Sequence, residues 1–241
     1  MGRDFENRRR SMEKRSDRDA KAFTRAARNI SIAVRQGGSD PEANPALRRA
    51  MQNARAVNMP KDKIQGAIDK AAGVGDDAGF EEVTYEGYGP HGSAVIVVAA
   101  TDNPTRTVAN VRFAFKKGNG NLGNSGSVSF MFDYFGVFRL DPAGLDRDAL
   151  ELELIDHGLE ALLDGETDEG KPLLVLRCAR ESFALLQAAL DTRKITPVSS
   201  GFEWVAKTPT ELTDEQTNDV LELVQRLEAD DDVSDVYTNL A

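Results

Sequence analysis

Cysteine, histidine and long apolar runs are scarce in this chain of 241 residues, and each scarcity excludes a class of protein. A single Cys rules out an intramolecular disulfide framework, and two distant His beside it argue against a zinc site. No apolar run approaches the roughly 20 residues of a membrane helix. The opening MGRDFENRRRSMEKR has no apolar h-region, so we expect no secretory signal. We expect a cytoplasmic protein with no metal, no cofactor and no membrane partner.

Positive charge is in deficit overall, because the net charge is −10, but it is concentrated near one end. Residues 1–72 hold 17 Lys and Arg against 9 Asp and Glu, a net charge of +8, so the remainder carries −18. A basic segment joined to an acidic body indicates a polyanionic partner for the basic part. Ordinary solvated helix faces would explain any single basic helix, whereas three successive basic elements favour a function.

The clearest local signals lie in residues 44–68, NPALRRAMQNARAVNMPKDKIQGAI. Asn44 and Pro45 predict a helix start, since Asn can cap free N–H groups and Pro needs no donor in the first turn. Asn58 can close that helix, and Pro60 opens the next. Apolar residues recur at helical spacing in both segments: Leu47, Ala50, Met51, Ala54 and Val57, then Ile64, Ala67, Ile68 and Ala71.

A further helix is predicted at residues 17–36, ended by Gly37 and Gly38. Residues 1–16 are predicted to be a basic arm that is flexible when free and could order on phosphate. A disordered tail that only aids solubility is the alternative for this arm. Residues 73–79 have the composition of a linker.

The remaining chain alternates between strand and helix patterns. We predict strands at 80–89, 93–101, 127–134, 136–140, 173–178, 198–205 and 233–240, and helices at 105–117, 147–157, 181–190 and from Thr213, which begins a capping box. This order suggests one α/β domain interrupted by another, with helices on one face of antiparallel sheets. The predicted class is α+β, with domains at 1–76, at 77–133 with 208–241, and inserted at 134–207.

The run from Gly118 to Gly123 matches GxGxxG, but a predicted helix precedes it and a strand follows. A dinucleotide site needs the reverse order, so we reject that interpretation. A tight loop that uses Gly for positive φ is one hypothesis. A mobile loop beside Lys116 and Lys117, with backbone N–H groups touching phosphate, is the other.

We find no candidate catalytic site. His91 lies in a Gly-rich turn, His157 ends a helix and Cys178 lies in an apolar strand as a small core residue. The acidic runs are interpreted as a turn and a solvated loop, without the spacing of a calcium site: Asp230, Asp231 and Asp232, then Asp164, Glu166, Asp168 and Glu169.

The predicted nucleic-acid-binding residues are the cations of the arm and of four helices, together with one amide. They are Arg8, Arg9, Arg10, Lys14, Lys21, Arg25, Arg28, Arg48, Arg49, Gln52, Arg55, Lys61, Lys63, Arg106, Arg112, Lys116 and Lys117. We expect reversal of Arg48, Arg49 and Arg55 to abolish polyanion binding and leave folding intact. Lys116 and Lys117 are predicted to extend the same surface.

Four segments carry a family resemblance in order and spacing: GSDPEANPALRRAMQNARAVNMPKDKIQGAI, EEVTYEGYGPHG, TDNPTRTVANVRFAFKKGNGNLGNSGSVSFMF and DDVSDVYTNL. They resemble the YebC/PmpR family, which includes the mitochondrial translational activator of cytochrome oxidase subunit I. The opening MGRDFENRRR departs from the commoner family start, a His-Ser-Lys-Trp motif. The resemblance implies a helical domain and two ferredoxin-like domains, the third inserted in the second, and no catalytic residues.

The resemblance also implies a DNA-binding transcriptional regulator or, alternatively, a ribosome-associated translation factor that relieves stalls at proline-rich sequences. Phosphate contacts supply affinity for either target but little sequence information. The absence of a helix-turn-helix signature and the acidic body favour folded RNA, whereas the family name favours DNA. An enzyme acting on a nucleotide and a scaffold that binds proteins through its acidic domains are further alternatives. We expect a monomer or weak homodimer.

Overall fold

The computed structural model describes residues 3–73, 79–167 and 170–241, and the side chains of residues 3–18 lie outside that description. The N-terminal unit consists of three helices: α1 (Arg3–Gly37), α2 (Pro45–Ala56) and α3 (Lys61–Ala72). Their apolar stripes meet in one core that includes Ile30, Leu47 and Ile64. The helical spacing in the sequence therefore identified the buried faces, except that Val57, just past the end of α2, is exposed and not part of this core.

The capping signals of these helices are confirmed. Asn44 caps α2 by accepting a hydrogen bond from the Leu47 backbone N–H at 3.0 Å. Pro60 precedes the first residue of α3. Gly38 follows α1 with a φ of 87°, a left-handed conformation that glycine adopts without strain.

The rest of the described chain contains four helices and eight strands. The helices are α4 (Pro104–Lys117), α5 (Arg147–Ile155), α6 (Phe183–Thr192) and α7 (Asp214–Glu228). The strands are β1 (Glu81–Tyr88), β2 (Ala94–Thr101), β3 (Asn121–Leu122), β4 (Phe132–Leu140), β5 (Leu159–Glu166), β6 (Pro172–Ala179), β7 (Ser199–Ala206) and β8 (Val233–Thr238).

These strands form two antiparallel four-stranded sheets, with orders β3-β1-β2-β8 and β5-β6-β4-β7. The second sheet and its two helices follow the ferredoxin-like succession β-α-β-β-α-β. All of its strands fall between β3 and β8 in the chain, so this unit is inserted into the first. The fold is therefore α+β, as predicted, with a helical N-terminal unit and two ferredoxin-like α/β units.

Helices cover one face of each sheet. Phe115 of α4 and Leu223 of α7 pack on Val95 and Val97 of the first sheet. Leu154 of α5 and Leu186 of α6 pack on the second sheet. The opposite face of the first sheet contacts the inserted unit, because Ile96 and Trp204 share a small apolar cluster. The three units thus pack against one another.

The predicted flexible arm is wrong for residues 3–16, because their backbone continues α1 from Arg3. No Gly or Pro interrupts the chain between Arg3 and Gln36, and most residues there are good helix formers. The predicted start at residue 17 is wrong because no helix-breaking residue lies before it to prevent an earlier start. Residues 74–78 of the predicted linker lie outside the described residues, and the predicted domain limits stay predictions.

Two strand predictions are also wrong. Residues 127–134 and 136–140 do not form separate strands: Ser129–Met131 is a 3₁₀ turn, and β4 runs unbroken in the second sheet. The strand β5 was missed, and it contains the predicted loop residues Asp164 and Glu166. Its pairing with β6 shifts register between Leu159 and Ala161, which breaks the alternation that would have marked it. Asp168 and Glu169 lie outside the described residues.

Candidate nucleic-acid interface

Buried Asn44 fixes the angle between α1 and α2. Its side-chain N–H group donates to the carbonyl oxygens of Ala33 at 2.7 Å and Gly38 at 2.8 Å, while its oxygen caps α2. Only 3% of the residue is exposed. One side chain therefore joins the end of the first basic helix to the start of the second.

Helix α2 presents three different faces. Leu47, Ala50 and Ala54 face the helical core. A second face meets the inserted unit, and the third carries Arg48 and Arg55, which lie seven positions apart and are both exposed. The predicted cation row on α2 is therefore divided between two surroundings.

Arg49 belongs to the face that contacts the inserted unit. Its guanidinium carbon lies 5.5 Å from the ring centroids of both Phe183 and Phe202. Burial lowers the pKa of Arg49, with Tyr134 and Glu82 opposing that effect. Cation–π contacts of this kind hold two units together, so reversal of Arg49 is expected to disturb packing as well as charge.

Two amides complete this contact. Asn53 donates to the Ser200 carbonyl at 2.8 Å and accepts from the Ser200 backbone N–H at 3.0 Å. Gln52 donates to the carbonyl of Pro197. The amides that could have read base edges from α2 are therefore engaged with β7 and the segment before it.

The outward cations of α1 face the first sheet unit. Lys21 and Arg25 lie 3.4 Å from the carbonyl oxygens of Ala229 and Glu228 at the end of α7. Arg28 donates to the Ala100 carbonyl at 3.2 Å and to the Asp231 carbonyl. Cations at a helix C-terminus complement its dipole, so these three side chains serve as interdomain contacts.

Asp232 is the centre of this junction. Its carboxylate lies 3.2 Å from Arg28 and 2.7 Å from Arg106, and it accepts a hydrogen bond from the Thr107 hydroxyl at 2.7 Å. Burial alone would raise the pKa of Asp232, but the hydrogen bonds from Arg106 and Thr107 outweigh it and the pKa lies below its ordinary value. Asp102 also binds Arg106, at 2.8 Å. Arg28 and Arg106 are therefore neutralised by neighbouring carboxylates.

The cations that remain exposed near the helical core lie on α2 and α3. Four of them are Arg48, Arg55, Lys61 and Lys63, and Lys70 in the last turn of α3 is exposed as well. Arg48 donates to the carbonyls of Pro41 and Glu42 at 2.7 and 2.8 Å, and the Lys63 ammonium lies 5.2 Å from the Phe23 ring centroid. Within the described residues none of the four forms an ion pair with a carboxylate. We call these four residues the α2–α3 cation surface.

The cations of α4 other than Arg106 lie away from the junction at Asp232. Arg112, Lys116 and Lys117 are exposed on the outer side of the helix. At 1.5 Å per residue, Lys117 lies about 17 Å along the helix axis from Arg106, which touches the junction. The side chains of Arg8, Arg9, Arg10 and Lys14 lie outside the described residues.

The Gly-rich loop after α4 does not offer a cradle for phosphate. A helix precedes it and β3 follows, as expected. Its glycine N–H groups donate within the protein: Gly118 to Ala114, Gly120 to Phe115, Gly123 to the Glu86 carbonyl and Gly126 to the Glu86 carboxylate. The hypothesis of a mobile loop whose glycine N–H groups bind phosphate is therefore wrong, because these four glycine N–H groups already have acceptors.

Glu86 is the internal anion that organises the end of this loop. Its carboxylate accepts backbone hydrogen bonds from Gly126, Val128 and Ser129 at 2.8 to 2.9 Å, and the residue is 7% exposed. Burial would raise the pKa of Glu86, but these three hydrogen bonds lower it below the ordinary value. An acidic residue within a predicted strand gave the only signal for this role.

A crevice of about 870 Å³ separates α1 and the end of α2 from the second sheet. Phe23 and Val57 line one wall, and Arg139 and Leu173 line the other. Arg139 is paired with Glu203 at 2.5 Å, and Asp19, Asp141 and Glu166 also line the space. Its carboxylates make it a poorer phosphate site than the α2–α3 cation surface.

The described part of the chain gives little support for a metal site, a reactive thiol or a membrane-spanning helix. No grouping of His, Cys, Asp and Glu there has the arrangement of a metal site. Burial raises the pKa of Cys178 to about 11, as expected for an unreactive core thiol. None of the described helices is long and apolar enough to cross a membrane.

The architecture defines a class of protein: a basic helical unit packed on two acidic ferredoxin-like units, one inserted in the other. Family models give this class a name. The model for the TACO1/YebC protein N-terminal domain matches residues 3–74, and the model for the TACO1/YebC second and third domain matches residues 80–240. The chain belongs to the TACO1/YebC family.

Similar proteins span the whole chain. A probable transcriptional regulatory protein of Anaeromyxobacter dehalogenans is 56% identical over 241 residues, which is 100% of both chains. One of Myxococcus xanthus is 52% identical over the same length. The crystal structure of a conserved hypothetical protein, Aq1575 from Aquifex aeolicus, matches with a TM-score of 0.80 and 34% identity, covering 92% of this chain and 90% of that one. The Anaeromyxobacter and Myxococcus relatives are thus named as probable transcriptional regulatory proteins.

Proposed function

We propose that this protein is a regulator of gene expression that binds nucleic acid in the cytoplasm through the α2–α3 cation surface. One observation carries the proposal. Lys21, Arg25, Arg28 and Arg49 are engaged at contacts between the units, and Arg106 is paired with Asp232 at one of them. Arg48, Arg55, Lys61 and Lys63 are exposed instead, and within the described residues they contact only carbonyls and a ring of their own helical unit and no carboxylate. Such cations bind phosphates and release counterions.

The first candidate is a DNA-binding transcriptional regulator, in line with the names of the relatives. In this role the α2–α3 cation surface would contact the backbone of the duplex. Sequence preference would then have to come from DNA shape or from residues other than Gln52 and Asn53, because those amides are bonded to the inserted unit.

The second candidate is a factor that binds ribosomal RNA and assists translation, including at proline-rich stalls. The engaged amides favour it, since binding to a folded RNA can depend on shape and phosphate positions rather than base edges. A short cationic unit beside acidic units also fits a folded RNA better than a long duplex. In either role we propose that the protein acts by binding, as a monomer or weak homodimer, and not as an enzyme.

The test is a gel shift on duplex DNA and on ribosomal RNA fragments at several salt concentrations, with an Arg55→Glu, Lys63→Glu double variant. We expect strong loss of binding and a salt slope reduced by up to about 0.9 for each duplex phosphate that the variant no longer neutralises. Lys207→Glu is the single-reversal control, because Lys207 lies on the inserted side at 3.5 Å from Asp133. Unchanged binding by the double variant would remove this surface from the proposal.

Crosslinking in cells, followed by sequencing of both DNA and RNA, separates the two candidates. Enrichment of promoter DNA supports the transcriptional role. Enrichment of large-subunit ribosomal RNA supports the translational role. The Arg55→Glu, Lys63→Glu variant should lose either signal, which links the target to the surface.

A further inference from the structure

A small groove between α4 and α7 has an aromatic wall. It has a volume of about 280 Å³, with Asn110 and Phe113 on one side and Arg226 and Asp230 on the other. Phe113 is 63% exposed although Val111 and Phe115 of the same helix are buried. An exposed ring at the mouth of a groove offers a flat apolar surface for a ligand.

The cations around the ring make it different from an ordinary exposed phenylalanine. The Lys117 ammonium lies 5.6 Å from the Phe113 ring centroid, one helical turn further along. Arg112 and Lys116 are exposed on the adjoining face of α4, and neither forms an ion pair within the described residues. An aromatic ring interleaved with free cations is the arrangement that binds an unpaired base together with its phosphates.

The wall formed by the end of α7 carries both signs of charge, so it reduces the positive charge near the groove without cancelling it. Arg226 lies 3.7 Å from Glu222 in an exposed pair of the i, i+4 type, which is weak in water. Asp230 accepts a hydrogen bond from the Asp232 backbone N–H at 2.9 Å and supplies a carboxylate at the groove. Arg226 and Asp230 therefore line the groove itself, and the cations of α4 lie beside its Phe113 wall.

We propose that this groove binds single-stranded nucleic acid, with one base stacked on Phe113 and the flanking phosphates on Lys117, Lys116 and Arg112. The inference rests on the proposed function and adds a second contact point to it. A duplex keeps its bases stacked inside and cannot present one to the ring. The groove therefore selects an unpaired segment, such as a loop or an end.

The test measures fluorescence anisotropy of labelled single-stranded RNA, single-stranded DNA and a duplex of the same sequence. Phe113→Ala should weaken single-strand binding about 5- to 150-fold, the range for losing one stacked base, and leave duplex binding unchanged. Phe113→Leu keeps an apolar side chain but removes the ring, so it should show a similar loss. Lys117→Gln should weaken single-strand binding and lower its salt slope by about 0.7.

Phe130→Ala is the matched control, since Phe130 is 65% exposed but has no cation over its ring within the described residues. It should leave both affinities unchanged. An equal loss in Phe130→Ala, or unchanged single-strand binding in both Phe113 variants, would overturn the inference and leave a protein partner as the better occupant. If the wild type binds single strands in a Phe113-dependent way but Arg55→Glu, Lys63→Glu binds every nucleic acid normally, the groove stands and the α2–α3 cation surface fails. If Arg55→Glu, Lys63→Glu loses binding but both Phe113 variants bind single strands normally, the groove is rejected and the α2–α3 cation surface stands.

Discussion

Replacing Asp232 with Asn removes one negative charge from a junction that joins the helical unit to the first sheet. The carboxylate serves Arg28 at 3.2 Å, Arg106 at 2.7 Å and the hydroxyl of Thr107 at 2.7 Å. The amide keeps the shape and one acceptor, but its N–H₂ group meets donors instead of acceptors. Both guanidinium groups are then left without their counter-charge, and fewer acceptor sites remain for the donors around them.

The burial of the Asp232 contacts determines how much stability Asp232→Asn is expected to lose. The Asp232 side chain is 5% exposed and that of Arg28 is 14% exposed, so their pairing is screened little by solvent. Breaking a buried pair by removing one partner costs about 3–5 kcal/mol. Arg106 is 47% exposed and can rehydrate, so we expect about 2 kcal/mol of lost stability for Asp232→Asn at neutral pH.

The assay is urea unfolding followed by far-UV circular dichroism, with fluorescence of the single tryptophan, Trp204, reporting on the inserted unit. The pKa of Asp232 is lower in the folded state, so its contribution is present above its unfolded pKa of about 3.9 and is lost as the pH falls through the folded value. The difference between wild type and variant should therefore be full at pH 7 and shrink below about pH 4.

Asp235→Asn is the control, three residues further along the chain in β8. Desolvation by its neighbours raises the pKa of Asp235 although the residue is surface-exposed, with Arg25 opposing and Glu203 and Glu82 adding to the effect. Its negative charge is thus unfavourable in the folded state, and neutralising it should leave stability equal or higher at pH 7. A loss in Asp235→Asn as large as that in Asp232→Asn, or a pH-independent effect of Asp232→Asn, would refute the reasoning.

Two further substitutions test the supports of the fold. Asn44→Ala should cost about 2 kcal/mol, because it removes a helix cap and two buried donors; Asn44→Ser keeps a capping oxygen without those donors, so in thermal unfolding it should fall between wild type and Asn44→Ala. Glu86→Gln should cost about 2 kcal/mol at neutral pH and less as the pH falls below about 4.3, since the pKa of Glu86 is lowered by its three backbone donors. Amide exchange at Gly126, Val128 and Ser129 should become faster, and unchanged exchange would contradict the role assigned to Glu86.

The sequence predicts those parts of the fold whose signals are local. The cap at Asn44, the capping box at Thr213 and the apolar spacing of α2 each depend on neighbours within a few residues, and the structure has them. The family resemblance supplied the ferredoxin-like order. The strand β5 escaped detection because its pairing carries a register shift, and the start of α1 because no residue there prevents an earlier beginning.

The sequence could not predict which cations are engaged by other units and which are exposed to solvent. Arg28 and Arg55 look alike in the sequence, yet the first meets the Asp232 carboxylate, more than 200 residues away, and the second meets solvent. Arg49 and Arg48 are adjacent, but only Arg49 points at Phe183 and Phe202. Which side of a basic helix is free depends on where other units dock, and helical periodicity holds no information about that.

The position of β8 has a consequence for how the chain matures. Strand β2 lies in the middle of its sheet between β1 and β8, and Val95 pairs with Thr238. During synthesis, the inserted unit has all its strands available before β8 emerges, so it is free to fold first. Until then β2 exposes an unpaired, almost wholly apolar edge, which invites association with other nascent chains. A ribosome paused before β8 would hold the protein in its most aggregation-prone form.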